Sequence, residues 1–243
     1  PSRRLRLPSL EVPRMNVERR SLLKSMALGG LASAAMGSSG LAMANAFIAP
    51  SSRLPATLVL VNGAVAGSAF LQAINASPAG RLAEVQRTDL GLDFLLALEQ
   101  RLKNGKPPRI IGLLDDASAA LVIDLSRSSG ARVQWLGQHT ASAAGSQHRL
   151  LSSEAAHGCA LQLGLQLNAS GAGFNLTEQR LLGHQPPLQL AAGARNGAVS
   201  EQWAATLGHT LAMLGSDAGT QPPLAVSRRS PLTGTFVSFS IEA

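Results

Sequence analysis

The chain contains a single cysteine, Cys159, in 243 residues. No internal disulfide can form, so its stability has to come from burial, whatever compartment it occupies. Aromatic residues are scarce at 3%, and they are not interleaved with basic residues as in single-stranded nucleic-acid binders. Motifs that announce a reaction are also missing. There is no G-x-S-x-G elbow, no H-E-x-x-H and no paired-cysteine metal pattern, and the one S-x-x-K runs from Ser21 to Lys24 in the basic N-terminal segment. Outside residues 26–43 no apolar run is long enough to cross a bilayer. A missing motif does not exclude an enzyme. It does mean that no reaction can be read directly from the sequence.

A formal charge of +7 invites a nucleic-acid reading, but the charge is unevenly placed. Residues 1–46 hold seven Lys/Arg against two Glu, a net +5, which leaves fourteen against twelve, a net +2, for residues 47–243. The body is nearly neutral and has no basic stripe, so no nucleic-acid partner is expected. Its hydrophobic content, 45% over the whole chain, is enough for a sizeable core in one or two domains.

The N-terminus accounts for most of the charge. Arg19 and Arg20 are followed by Ser21, the apolar pair Leu22 and Leu23, and Lys24; a weakly apolar stretch rich in Gly, Ala and Ser runs from 26 to 43, and Ala44-Asn45-Ala46 offers a small-residue cleavage pattern before Phe47. This segment resembles the twin-arginine export signal, with Glu18 standing where Ser or Thr is common. The resemblance implies a partner in the twin-arginine export machinery, a periplasmic location in a Gram-negative-type envelope, and a cargo that folds before export, often with a cofactor or beside a co-exported redox enzyme. Glycines among serines make a poor permanent span, so none is expected after signal removal. Met15 lies a normal start-codon distance before Arg19, and residues 1–14 are expected to be an upstream extension of the reading frame. Residues 47–243 then form the mature domain, with a possible subdomain break near 140–152.

The body is organised around residues 109–139. An apolar run from Arg109 to Leu114 follows Pro107-Pro108 and reads as a strand. Asp115 and Asp116 end it and open a helix with Ser118, Leu121, Val122 and Leu125 on one stripe, closed by Gly130. Residues 132–136 then read as a second strand, parallel to the first and joined to it by a right-handed crossover. Upstream, residues 57–61 form a buried strand; a turn from Asn62 and Gly63 to Ser68 leads into a helix through Ile74; residues 83–87 form a short strand; and residues 90–103 form a helix capped by Thr88 or Asp89, with Leu95, Leu98 and Leu102 inward and Phe94 beside them. Alternation of this kind predicts a parallel, Rossmann-like, three-layer half.

After His139 the pattern changes. Residues 140–147 read as a small polar loop and 152–156 as a single helical turn. Leu161, Leu163, Leu165 and Leu167 alternate with polar or small residues, which is the period of a strand with one wet face. Short extended pieces follow at 171–182 and 188–192, then a helix at 200–214 with Trp203, Leu207, Leu211 and Leu214 in line, and a last strand at 235–241. The expected class is therefore α/β, with a parallel N-terminal half and a more antiparallel α+β C-terminal half.

Ligands of open parallel sheets sit beyond the carboxyl ends of the strands. The groups predicted there are Asn62, Gly63 and Ser68 after the first strand, Asp115, Asp116 and Ser118 after the central one, and Gln138 with His139 after the next. The turn at 62–68 precedes a helix and can hold an anion, but it matches neither the dinucleotide fingerprint nor the P-loop, so a purely structural turn is the simpler reading. Helix capping accounts equally simply for at least one of the two aspartates. His157 and Cys159 are only two metal-type ligands where three or four are needed, so no metal is assigned, Cys159 is read as a structural thiol, and the cofactor stays unknown. Two functions fit. One is a non-catalytic small-molecule-binding protein or accessory subunit of an exported redox enzyme; the alternative is a periplasmic hydrolase or transferase.

Overall fold

A computed structural model describes residues 56–88, 91–105, 107–142, 144–181, 186–195, 201–214, 222–224 and 231–243. The export-signal residues Arg19, Arg20, Leu22, Leu23, Lys24, Ala44 and Ala46, and the candidate cap Asp89, lie outside them. The chain has an α/β fold built on a single mixed sheet of eight strands. In chain order the elements are β1 (Thr57–Val61), α1 (Ala69–Ala76), β2 (Glu84–Arg87), α2 (Leu92–Lys103), β3 (Arg109–Leu114), α3 (Asp116–Ser128), β4 (Arg132–Ser142), β5 (Gly145–Ser152), α4 (Cys159–Ala169), β6 (Phe174–Arg180), β7 (Leu188–Ala192), α5 (Gln202–Met213) and β8 (Gly234–Glu242). A 3₁₀ turn at Glu154–Ala156 lies where a helical turn is predicted.

The sheet order is β2-β1-β3-β8-β4-β5-β6-β7. β1 is parallel to β2 and to β3, as the strand and helix alternation predicts. β3 and β4 are not neighbours, however: the C-terminal strand β8 lies between them and pairs antiparallel with both. β8 suits that place because Phe236, Val237, Phe239 and Ile241 are buried together with the small Ser238 and Ser240, so both of its faces can be covered. Local periodicity in residues 109–136 cannot anticipate a strand supplied from a hundred residues away.

Four further expectations are corrected. Residues 140–147 are not a loop, because β4 continues to Ser142 and pairs antiparallel with β5 in a tight hairpin. Residues 161–167 are not a strand but lie within α4. The buried residues there are Ala160, Leu163, Gly164 and Leu167, at helical spacing, while Leu161 and Leu165 are exposed. The leucine alternation misled because every second residue of a helix falls on nearly opposite faces, and half of these leucines are outside. In α3 the buried stripe is Ser118, Ala119, Val122, Ile123 and Ser126, with Leu121 exposed and Leu125 half-buried. In α2, Phe94, Leu98 and Leu102 are buried and the N-cap is Gly91, not Thr88.

Strand alternation divides the core in two. Val59, Val61, Ile111, Leu113, Trp135 and Leu150 turn to one face and join a cluster with α1, α4 and α5. Leu58, Leu60, Ile110, Leu114, Phe239 and Ile241 turn to the other, and α3 packs on β3, β8 and β4. A bulge between Val133 and Trp135 in β4 sets the phase that turns Trp135 and His139 to the α5 side. The helices α1 and α5 cross closely at Gly208, where an added Cβ would stand 2.3 Å from the carbonyl oxygen of Phe70. Arg109, buried at the start of β3, donates to the carbonyls of Leu211 and Leu214 at 2.7 and 2.8 Å and so satisfies the C-terminus of α5.

Candidate functional site

Two antiparallel steps through β8 restore the strand direction, so β1, β3 and β4 all point to one edge of the sheet. Leu114 and Gln138 pair with the same residue, Val237, from opposite sides, which puts Asp115 and His139 at one level. The predicted groups therefore approach one edge, but their side chains do not form one site.

At the ends of β1 and β3 they are bound to one another. Asp115 is the N-cap of α3: its Oδ1 accepts from the Ser118 N–H at 3.0 Å and its Oδ2 from the Ser118 hydroxyl at 2.7 Å. Asn62 Nδ2 donates to Asp115 Oδ2 at 3.2 Å, and Asn62 Oδ1 accepts from the Val65 N–H at 3.0 Å. Burial alone would raise the Asp115 carboxyl, but these donors outweigh it and hold it below the usual carboxylate range. Asp116 is exposed in the first turn of α3, where its charge complements the helix dipole. Gly63 is exposed in the turn.

The helix N-terminus after this turn already holds an anion, and the chain itself supplies it. Glu201, buried just before α5, accepts from the Ala69 N–H of α1 through Oε2 at 3.2 Å and from the Leu232 N–H through Oε1 at 2.7 Å. Ser68, the N-cap residue, makes no side-chain cap. Glu201 escapes a sequence reading because its partners are 132 and 31 residues away.

Gln138 is half-buried on the α3 side of β4. His139 points the opposite way, fully buried, into a network that sequence reasoning missed. His139 Nδ1 lies 2.8 Å from His148 Nδ1; His139 Nε2 lies 2.7 Å from Ser238 Oγ; His148 Nε2 lies 2.9 Å from Ser146 Oγ. The Trp135 indole N–H donates to Ser238 Oγ at 2.9 Å, and the Ser146 hydroxyl donates to the Gly173 carbonyl at 3.5 Å. One set of neutral tautomers satisfies the whole chain in a single direction: Trp135 donates to Ser238, Ser238 to His139 Nε2, His139 Nδ1–H to His148 Nδ1, His148 Nε2–H to Ser146, and Ser146 to Gly173. Trp203 lies against both imidazoles, stacked on His139 with ring centroids 5.7 Å apart and tilted by 42° to His148 at 5.9 Å. At Gly137 a Cβ would stand 2.7 Å from Ser238 Oγ and 2.8 Å from His139 Nε2, so glycine leaves room for their bond. A signal did exist, since Ser146, His148 and Leu150 alternate with Gln147 and Arg149 at the strand period.

Burial disfavours charge here. It pushes His148 down to about 4, and burial followed by the adjacent His148 pushes His139 well below the ordinary imidazole range. Neither ring is a strong base near neutrality. His157 is exposed, with Nε2 3.4 Å from Arg180, and Cys159 is the half-buried first residue of α4. Among the described residues no group of three or more His, Cys, Asp or Glu is placed to hold a metal ion, and no helix is long and apolar enough to cross a membrane. No protein-family model matches this sequence, and no curated protein or solved structure matches it either.

Proposed function

We propose that the chain is an exported, periplasmic protein, Rossmann-like and three-layered in its N-terminal half, that works without catalysis as a small-molecule-binding or accessory subunit of a co-exported redox enzyme. What supports the non-catalytic part is that the edge groups best suited to chemistry are engaged inside the fold: Asp115 by Ser118 and Asn62, Glu201 by two backbone N–H groups, and His139 by His148 and Ser238. The signal around Arg19 and Arg20 supports export. Changing both arginines to lysine is expected to hold the protein in the cytoplasm, and mass spectrometry of the exported form should find Phe47 at the N-terminus. Normal export of the double variant would sink the twin-arginine assignment.

One observation favours the alternative, a hydrolase or transferase. Ser146, His148 and His139 stand in the order of a hydroxyl, the imidazole beside it and a group orienting that imidazole. Burial weakens His148 as a base, which favours a structural role. A serine-directed fluorophosphonate separates the two. The protein is expected to stay unlabelled, and labelling that disappears in Ser146→Ala would make it a hydrolase.

A further inference from the structure

The two outer edges of the sheet are treated differently by the sequence. β2, at one edge, carries Glu84 and Arg87, and Glu84 is held by Arg101 at 2.8 Å, charges of the kind that discourage a further strand from adding. β7, at the other, reads Leu-Gln-Leu-Ala-Ala from Leu188 to Ala192, without a charge, and its outer edge pairs with no strand among the described residues. Beside it lies α4, which packs over both β6 and β7. Gly164 marks the flank of α4 turned to β7, since a Cβ there would meet the Leu190 side chain at 2.5 Å. At 3.6 residues per turn, Leu161 and Asn168 continue that flank outward and Leu165 lies just beyond. Leu161 is 44% and Leu165 58% exposed.

We propose that β7 and α4 form the contact surface of a homodimer, in which β7 pairs antiparallel with β7 of a second copy about a two-fold axis. The occupant is a second copy because the geometry closes on itself. An antiparallel strand pair is self-complementary, and an uncharged strand brings no like charge against its own image. Strands in a sheet are about 4.8 Å apart. A helix seated over β6 and β7 therefore comes to lie roughly 10 Å from its symmetry mate once the two β7 strands pair, near the upper end of the 8–10 Å at which helices pack. Strand pairing at this edge thus brings the Leu161 and Leu165 stripes of the two copies together and covers them. The contact is independent of whether the protein is an enzyme or an accessory subunit.

Sedimentation equilibrium of the full-length chain tests this directly. Twice the monomer mass is expected, falling to the monomer mass in Leu161→Asp/Leu165→Asp. The matched change on the opposite flank, Leu92→Asp/Leu96→Asp, alters residues that are 70% and 53% exposed and should leave the dimer intact. A second readout does not depend on variants folding: backbone amides of β7 should gain hydrogen-exchange protection as wild-type concentration rises. A wild-type chain that stays monomeric at every concentration overturns the proposal, as does a dimer broken by the α2 pair but not by the α4 pair. Protection of β7 that does not vary with concentration overturns it too, since the edge would then be covered within one chain.

Discussion

The strands on the two sides of β8 solve the same problem, where to put polar side chains, in opposite ways. On the β1 and β3 side the strand interiors are aliphatic and the polar groups stand at the ends, where Asp115, Ser118 and Asn62 satisfy a helix N-terminus at the rim. On the β4 and β5 side a polar chain from Trp135 to Ser146 crosses the core itself, under Trp203. A cap at the rim can be replaced by water; a buried network cannot. The β4 and β5 half should therefore carry the larger penalty for a small change, and its tolerance of acid should be lower.

Ser238→Ala is the sharpest way to break that contrast. It removes the acceptor of the Trp135 N–H and the partner of His139 Nε2, two groups with no access to water. At about 1–3 kcal/mol for each of the two buried groups left unsatisfied, the loss should be roughly 2–6 kcal/mol in urea denaturation. Asp115→Ala, which removes a cap and its hydrogen bonds to two side chains at a part-buried rim that water can reach, should cost about 1 kcal/mol. Equal losses in the two variants would put the two halves on the same footing.

Acid is the next test. The folded values of His139 and His148 lie below the unfolded imidazole value, so the unfolded chain binds more protons over the interval between them. The stability contributed by the neutral pair is complete above about pH 6.5 and is lost as pH falls towards 4, on the order of 3 kcal/mol from His148 alone. Among the described residues the two rings bond to each other and to Ser238 and Ser146, not to a carboxylate. Glu178, on β6, accepts from the Ser152 hydroxyl, and Glu201 accepts from the Ala69 and Leu232 N–H groups. Urea midpoints should drop between pH 6.5 and 4, and His148→Gln should flatten that drop whatever it does to stability at neutral pH. A wild-type midpoint that holds steady over this interval would mean that the pair is not buried neutral.

How much was legible follows the same divide. From residue 57 to the start of β4 each signal is local: apolar runs for strands, Asp115 before α3, and Gly130 at φ +85 after it. Such signals need only neighbours in sequence, and that part of the element order could be read in advance. At the edge of the sheet the Asp115 cap was legible because capping is local as well. Past His139 the deciding contacts are distant. β8 inserts between β3 and β4, Glu201 reaches Ala69 from 132 residues away, and Ser238 reaches His139 from 99. The leucine alternation at 161–167 has the strand period on its face, and only the packing of Gly164 against Leu190 shows which leucines are inside.

The smallest expected effect concerns Cys159. It begins α4, a position where a helix N-terminus would favour a thiolate, and the charge of Arg109 acts in the same direction. Burial is the larger influence, reinforced by the charge of Glu178, and together they push the thiol above its ordinary value despite Arg109. Little thiolate is therefore available near neutral pH, and since the thiolate is the reactive species a disulfide reagent should label the native protein slowly and the urea-unfolded protein fast. Cys159→Ala removes one half-buried sulfur and should change stability by about 1 kcal/mol or less. Rapid labelling of the native chain would show that the helix N-terminus and Arg109 outweigh burial, and would make Cys159 a reactive group on the β4 to β7 side of the fold.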